Sequence, residues 1–272
     1  MKAKRIVVTG MMAGAILLTS NLFAQESGIS GKLTMKSDTA VGGKVDAGKN
    51  AKVYIGGLKM QGSSVKGNLN VNSKVRINGD VKAGKNAYMN LGSVRMTGSE
   101  IGGNADINLN LATGDVRVDK NAKLYAGAVD LHNTAVNGNL NMQSDVKTGD
   151  IRLKKGAYAN LGSLVANDSA INGNADINLK VHAGNVRVDK NAKLYLSGIE
   201  LENTTVNGNL RFKSDTDIGD VRVQKGGTLN VASLLLRNQN INSMDLELDA
   251  SLPGGVTVDK GATVEIATVG IE

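Results

Sequence analysis

A Gly-Asn pair recurs along this chain at an almost fixed interval. Gly103-Asn104, Gly138-Asn139, Gly173-Asn174 and Gly208-Asn209 follow one another every 35 residues, and Gly67-Asn68 precedes them by 36. Periodicity on this scale marks a fold in which each unit buries its apolar face against copies of itself. A second level of likeness lies above the first. Residues 102–136 and 172–206 are identical at 22 of 35 positions, so the chain reads as the duplication of a 70-residue pair of unlike units.

Aligned copies resolve into columns with physical meaning. Gly43, Gly79, Gly114, Gly149, Gly184, Gly219 and Gly254 share one position, which predicts a turn with positive φ or a close backbone approach. Two residues later stand Val45, Val81, Val116, Ile151, Val186, Val221 and Val256. Two further on come Val118, Leu153, Val188, Val223 and Val258, with Ala47 and Ala83 in the early copies. Alternate β-branched positions after a glycine predict a short strand with one buried face. Further apolar columns run through Ile55, Leu91 and Leu161, through Leu58, Val94 and Val129, and through Val65, Ile101 and Val136. No stretch keeps a helical period, and Pro253 is the only proline. The fold class that follows is all-β, a parallel β-solenoid (β-helix) of 35-residue units in which successive turns pair strand on strand.

The number of turns per unit is the next question, and two turns of roughly 17–18 residues are predicted, because each half-unit carries its own apolar pairs. A charge argument points the same way. Lys49, Lys85, Lys120, Lys155, Lys190, Lys225 and Lys260 form one column. With one turn per unit their ammonium groups would stand about 4.8 Å apart, at a cost on the order of 0.9 kcal/mol per neighbouring pair in water. Two turns halve that cost and lengthen the predicted rod to about 65–70 Å.

Composition bounds the rest. Aromatic residues make up 3% of the chain, with no Trp, so a compact core of large rings is not available. Lys2, Lys4 and Arg5 precede an apolar run from Ile6 to Leu18, and Leu22 and Ala24 occupy the usual cleavage positions. Residues 1–24 are therefore predicted to be a signal peptide cleaved after Ala24, and residues 25–272 a single solenoid domain of about seven units, the last partial. No later segment is apolar enough to form a spanning helix, and the absence of cysteine excludes disulfides, lipobox attachment and thiolate metal sites. Without the leader the chain has 29 basic and 25 acidic residues, a mild excess that does not demand nucleic acid.

One face is expected to carry a basic stripe: Lys85, Lys120, Lys155, Lys190 and Lys225 beside Lys82, Arg117, Arg152, Arg187 and Arg222. Evenly spaced cations suit an anionic polysaccharide or lipopolysaccharide; the alternative is a solvated face, with Asp80, Asp115, Asp150 and Asp220 neutralising it through exposed ion pairs. Asn68, Asn104, Asn139, Asn174 and Asn209 predict stacked amides bonded along the axis. Tyr54, Tyr125 and Tyr195 share one column and Tyr88 and Tyr158 another, a set better suited to packing than to stacking on sugar rings. His132 and His182 occupy different repeat positions, and neither a GxSxG elbow nor a metal motif is present. No pair of acids is marked out from its copies. The sequence thus points away from an enzyme, with a β-helix polysaccharide lyase or hydrolase the weakest reading, and no cofactor is expected.

Units such as Gly138-Asn139-Leu140-Asn141-Met142, followed by Gly149-Asp150-Ile151-Arg152-Leu153, resemble the repeats of filamentous-haemagglutinin-like adhesins and, more loosely, of bactofilins. The resemblance implies the solenoid architecture, and the predicted cleaved leader implies a bacterial protein, secreted or at the cell surface, with the periplasm as an alternative. The function expected is a structural subunit of an extracellular filament, biofilm matrix or adhesive layer, and its foremost partner is a further copy of itself, joined end to end.

Overall fold

The computed structural model describes residues 28–271 in full and, before them, the backbone strands Ile16–Leu18 and Leu22–Gln25. The predicted leader, residues 1–24, otherwise lies outside the described residues. The described chain is a parallel β-solenoid without a helix.

Each 35-residue unit makes one turn, not two. Val81 pairs with Val45 on one side and Val116 on the other, and the same interval holds in every sheet. A coil consists of a three-residue strand such as Val116–Val118, four-residue strands such as Lys123–Ala126 and Val129–His132, the two-residue Ala135–Val136, and the long strand Leu140–Lys147. The half-unit spacing of apolar pairs is real, but it crosses the interior. Ser73 Oγ donates to the Gly56 carbonyl (2.6 Å) and Ser144 Oγ to the Gly127 carbonyl (2.7 Å), each 17 residues away in sequence and opposite across the coil. The charge argument failed because the column lysines from Lys85 to Lys225 lie at exposed turns, where water and salt screen them. Seven coils at the strand spacing give a height of about 34 Å. A nine-residue strand such as Leu69–Ile77 is about 30 Å long. The unit is therefore nearly as broad as it is tall, and the predicted 65–70 Å rod is corrected to a block.

Two apolar clusters fill the interior. One gathers Val81, Val116, Leu124, Leu153, Leu161 and their column mates; the other gathers Met60, Met96, Leu131, Leu140, Phe212 and theirs. Between them the corner residues Gly56, Gly92, Gly127 and Gly162, with φ of 59–64°, fold inward against the long sheet. A Cβ on Gly127 would lie 2.7 Å from Val146 Cγ2, which explains the glycine there. In the Ser197 coil, Thr216 replaces the valine of the facing column, and Ser214 Oγ hydrogen-bonds Ser197 Oγ at 2.9 Å. The facing column reads Ser37, Ser73, Leu109, Ser144, Leu179, Ser214, Leu248, alternating from Ser73 onward. This alternation of hydroxyl and leucine is the interior counterpart of the 70-residue duplication.

Adjacent coils are fastened at their corners. Asn104, Asn139, Asn174 and Asn209 each donate a backbone N–H to the side-chain oxygen of the asparagine one coil before, at 2.9–3.0 Å. The predicted asparagine column exists, but it bonds side chain to backbone. Amide-to-amide bonding occurs in other columns, from Asn172 to Asn137 and from Asn207 to Asn172, both at 2.9 Å. The column glycines serve the close-approach role. A Cβ on Gly149 would fall 2.2 Å from Asp115 Oδ1, and one on Gly138 2.3 Å from Asn104 Oδ1.

Candidate functional site

Three surfaces stand out, each built directly by the coil geometry. On the face of three-residue strands a single outward position per coil is available. Register places Lys82, Arg117, Arg152, Arg187 and Arg222 there in unbroken succession, with Asp46 at the start and Thr257 at the end. Lys85, Lys120, Lys155, Lys190 and Lys225 are exposed at the adjoining turn. The two predicted columns therefore run side by side, about 4.8 Å per step. A shallow groove of about 630 Å³ follows them from Asp46 to Arg187.

The acids of this face are disposed differently from expectation. Asp115, Asp150 and Asp220 are occupied in holding the coils together: their Oδ1 atoms accept the backbone N–H of Asp150, Asn185 and Gly255 at 2.7–2.9 Å. Asp80 does the same for Asp115 and also pairs with Lys44 at 3.4 Å. Two of the arginines are instead met by acids two residues after them, Arg117 by Asp119 (3.2 Å) and Arg187 by Asp189 (2.9 Å). Lys154 also reaches Asp119, at 2.9 Å. Burial alone would raise the Asp119 pKa, but hydrogen bonds from Lys154 and Arg117 outweigh it and hold the carboxyl below its ordinary value. The stripe is thus cationic but partly compensated.

The second surface is the outer side of the inward corner. Here the two tyrosine columns interleave into one stack: Tyr54, Tyr88, Tyr125, Tyr158 and Tyr195 follow at centroid distances of 5.6–5.7 Å, tilted by 37–42°. Alternate coils place tyrosine in adjacent outward columns, with Asn90 beside Tyr54 and Asn160 beside Tyr125 in register. Tyr88, Tyr125 and Tyr158 each have a tyrosine on either side along the stack, and Arg95 lies over the Tyr125 ring at 6.0 Å, an arrangement suited to packing. Burial raises the pKa of Tyr88, Tyr125, Tyr158 and Tyr195, of Tyr125 and Tyr195 to about 12.

Beside the stack lies a cluster that breaks the repeat. Asp130, almost wholly buried, takes Arg95 Nε at 3.3 Å and His132 Nε2 at 2.7 Å. Arg95 also donates to the Tyr88 hydroxyl at 3.4 Å. The signal was present in the irregular column Lys59, Arg95, Asp130, Val165, Glu200, Leu235. His182 lies apart on the long sheet, paired in register with Lys147. Among the described residues no group of three or more His, Asp or Glu is placed to hold a metal ion.

The third surface is the end of the last described coil. Val256, Val258, Val269 and Ile271 occupy inward columns yet are 44–71% exposed. Searches of family models, curated proteins and solved structures find no match to this chain.

Proposed function

We propose that the chain is an exported structural protein, a subunit of an extracellular filament, biofilm matrix or adhesive surface layer. The observation that carries this reading is the apolar end of the last described coil, where Val256, Val258, Val269 and Ile271 stand in columns that every earlier coil buries. The strands of that end keep unpaired backbone groups, which favour addition of another β-layer. A block about 34 Å tall becomes a fibre only by stacking. The leader-like residues 1–24 support export. Negative-stain electron microscopy of the processed protein at rising concentration tests the reading: filaments one solenoid wide are expected, and isolated blocks at every concentration would overturn it.

A second reading uses the cationic face. The continuous register of Lys82, Arg117, Arg152, Arg187 and Arg222 suits a linear anionic polysaccharide laid along the axis. Reversal of Lys120, Lys155 and Lys190 to glutamate is expected to abolish such binding, and binding that survives the triple change excludes it.

A further inference from the structure

The two ends of the solenoid are oppositely charged. Residues 28–66, the first described coil, contain seven lysines and two aspartates. Residues 240–271, the last, contain five acidic residues and one lysine. The five coils between carry 21 basic and 16 acidic residues, about one net positive charge per coil, so the contrast belongs to the ends. The acidic end is also the one whose inward valines are exposed.

From this we infer that the apolar end coil receives the first coil of a second copy, head to tail and in the register of the sheets. The inference rests on the exported structural reading above and gives the assembly a polarity. Continuing the columns by one coil sets Lys36 of the second copy beside Glu247, which already accepts from Lys213. The carboxylate then lies between two ammonium groups. Thr34 falls beside Asp245, and Ala40 beside Ser251. Two columns oppose the joint: Asp38 meets Asp249, and Lys49 meets Lys260 at an exposed turn where water and salt screen the pair. Like ends have no such match: acidic meets acidic, or lysine meets lysine, across about 4.8 Å. A contact between unlike ends does not close on itself, and repeated without a closing rotation it yields an open fibre.

The receiving side is partly free. Among the described residues, Leu33–Val41 and Val45–Ala47 are edge strands. Lys52–Ile55 and Leu58–Gln61 are paired by Ile16–Leu18 and Leu22–Gln25. These two strands hold the places that Thr263–Ile266 and Val269–Ile271 of a neighbouring copy would take. Cleavage after Ala24 would remove all of them but Gln25, so processing bares the joint.

The chain has no cysteine, which makes cross-linking selective. Ala40→Cys with Ser251→Cys changes no charge and places the two thiols on neighbouring strands, within the Cα range of about 4.4–6.8 Å that a disulfide spans. The processed double variant, oxidised, is expected to give a ladder of covalent multimers on a non-reducing gel, while each single variant stays monomeric. A dimer from Ala40→Cys alone or from Ser251→Cys alone would reverse the polarity and overturn the inference. Filaments without a ladder would overturn the joint but leave the filament reading standing. Monomers in every variant, confirmed by sedimentation of the unmodified protein, would overturn both. Asp38→Asn, which removes the repulsion with Asp249, is expected to lower the concentration needed for assembly several-fold; an unchanged or higher threshold would count against this register.

Discussion

Val118 and Val258 occupy the same column four coils apart, yet Val118 is fully buried and Val258 is 44% exposed. Their strands have the same length and the same Val-x-Val pattern. The difference lies wholly in what stands above them. In this fold a coil does not bury its own interior; the coils on either side do. Stability is therefore a sum over neighbouring contacts, and among the described residues the last coil is where core-column valines are in position without being buried.

The sharpest break of this contrast is a truncation in the middle. Leu124 is fully buried in the larger cluster, and Leu124→Ala is expected to cost about 2–5 kcal/mol in denaturant unfolding. Next comes the matched pair. Val118→Ala should cost about 2 kcal/mol from the lost methyl groups and the cavity left behind. Val258→Ala should stay within about 0.5 kcal/mol at concentrations where the protein is monomeric. Equal costs at the two sites would mean that the end coil is covered in solution.

Glycine supplies a parallel comparison at the other end. Gly149 and Gly43 share a column, but a Cβ on Gly149 meets Asp115 Oδ1 whereas one on Gly43 meets no described atom within 4 Å. Gly149→Ala is expected to cost about 1–3 kcal/mol by displacing a carboxylate that holds the next coil. Gly43→Ala should be close to neutral, and thermal melts of the two variants decide it.

The smallest effect concerns pH. The interior coils carry the tyrosine stack, while the end coil has Thr263 and Glu265 in those columns. Tyr125 and Tyr195, unfolded near 10, rise to about 12 in the folded chain. The folded state then holds protons that the unfolded state has lost. The resulting stability is complete below pH 10 and declines as pH rises towards 12. Absorbance of tyrosinate should appear near pH 12 in the folded protein and near 10 in urea; coincident titrations would show the rings to be solvated.

Much of the fold was legible because the column valines, the Gly-Asn pairs and the Lys82 to Arg222 series are repeated at the same interval that the sheets use. The number of turns was not. Ser73 and Gly56 lie half a unit apart and face each other, and a linear alignment cannot tell a residue across the interior from one in the next coil. The acids misled for a related reason. Asp115 and Asp119 both flank Arg117, and only the corner geometry shows that Asp115 is engaged by the backbone of the next coil, leaving Asp119 for the arginine. The cluster of Asp130, Arg95 and His132 was visible as an irregular column, but its contact with the tyrosines needed the inward fold at Gly92 and Gly127.

The alternation of serine and leucine along the interior column from Ser73 to Leu248 turns that part of the solenoid into a ruler with coarse graduations. Adding or removing one coil would set serine on serine or leucine on leucine at the seam, and disturb the hydroxyl that each corner carbonyl of the Gly127 type receives. Adding or removing two coils restores the phase. From Ser73 onward the length of such a protein is therefore free to drift in steps of about 9.6 Å, two strand spacings at a time, whereas the first described coil, with Ser37 on Ser73, accommodates a seam of like residues.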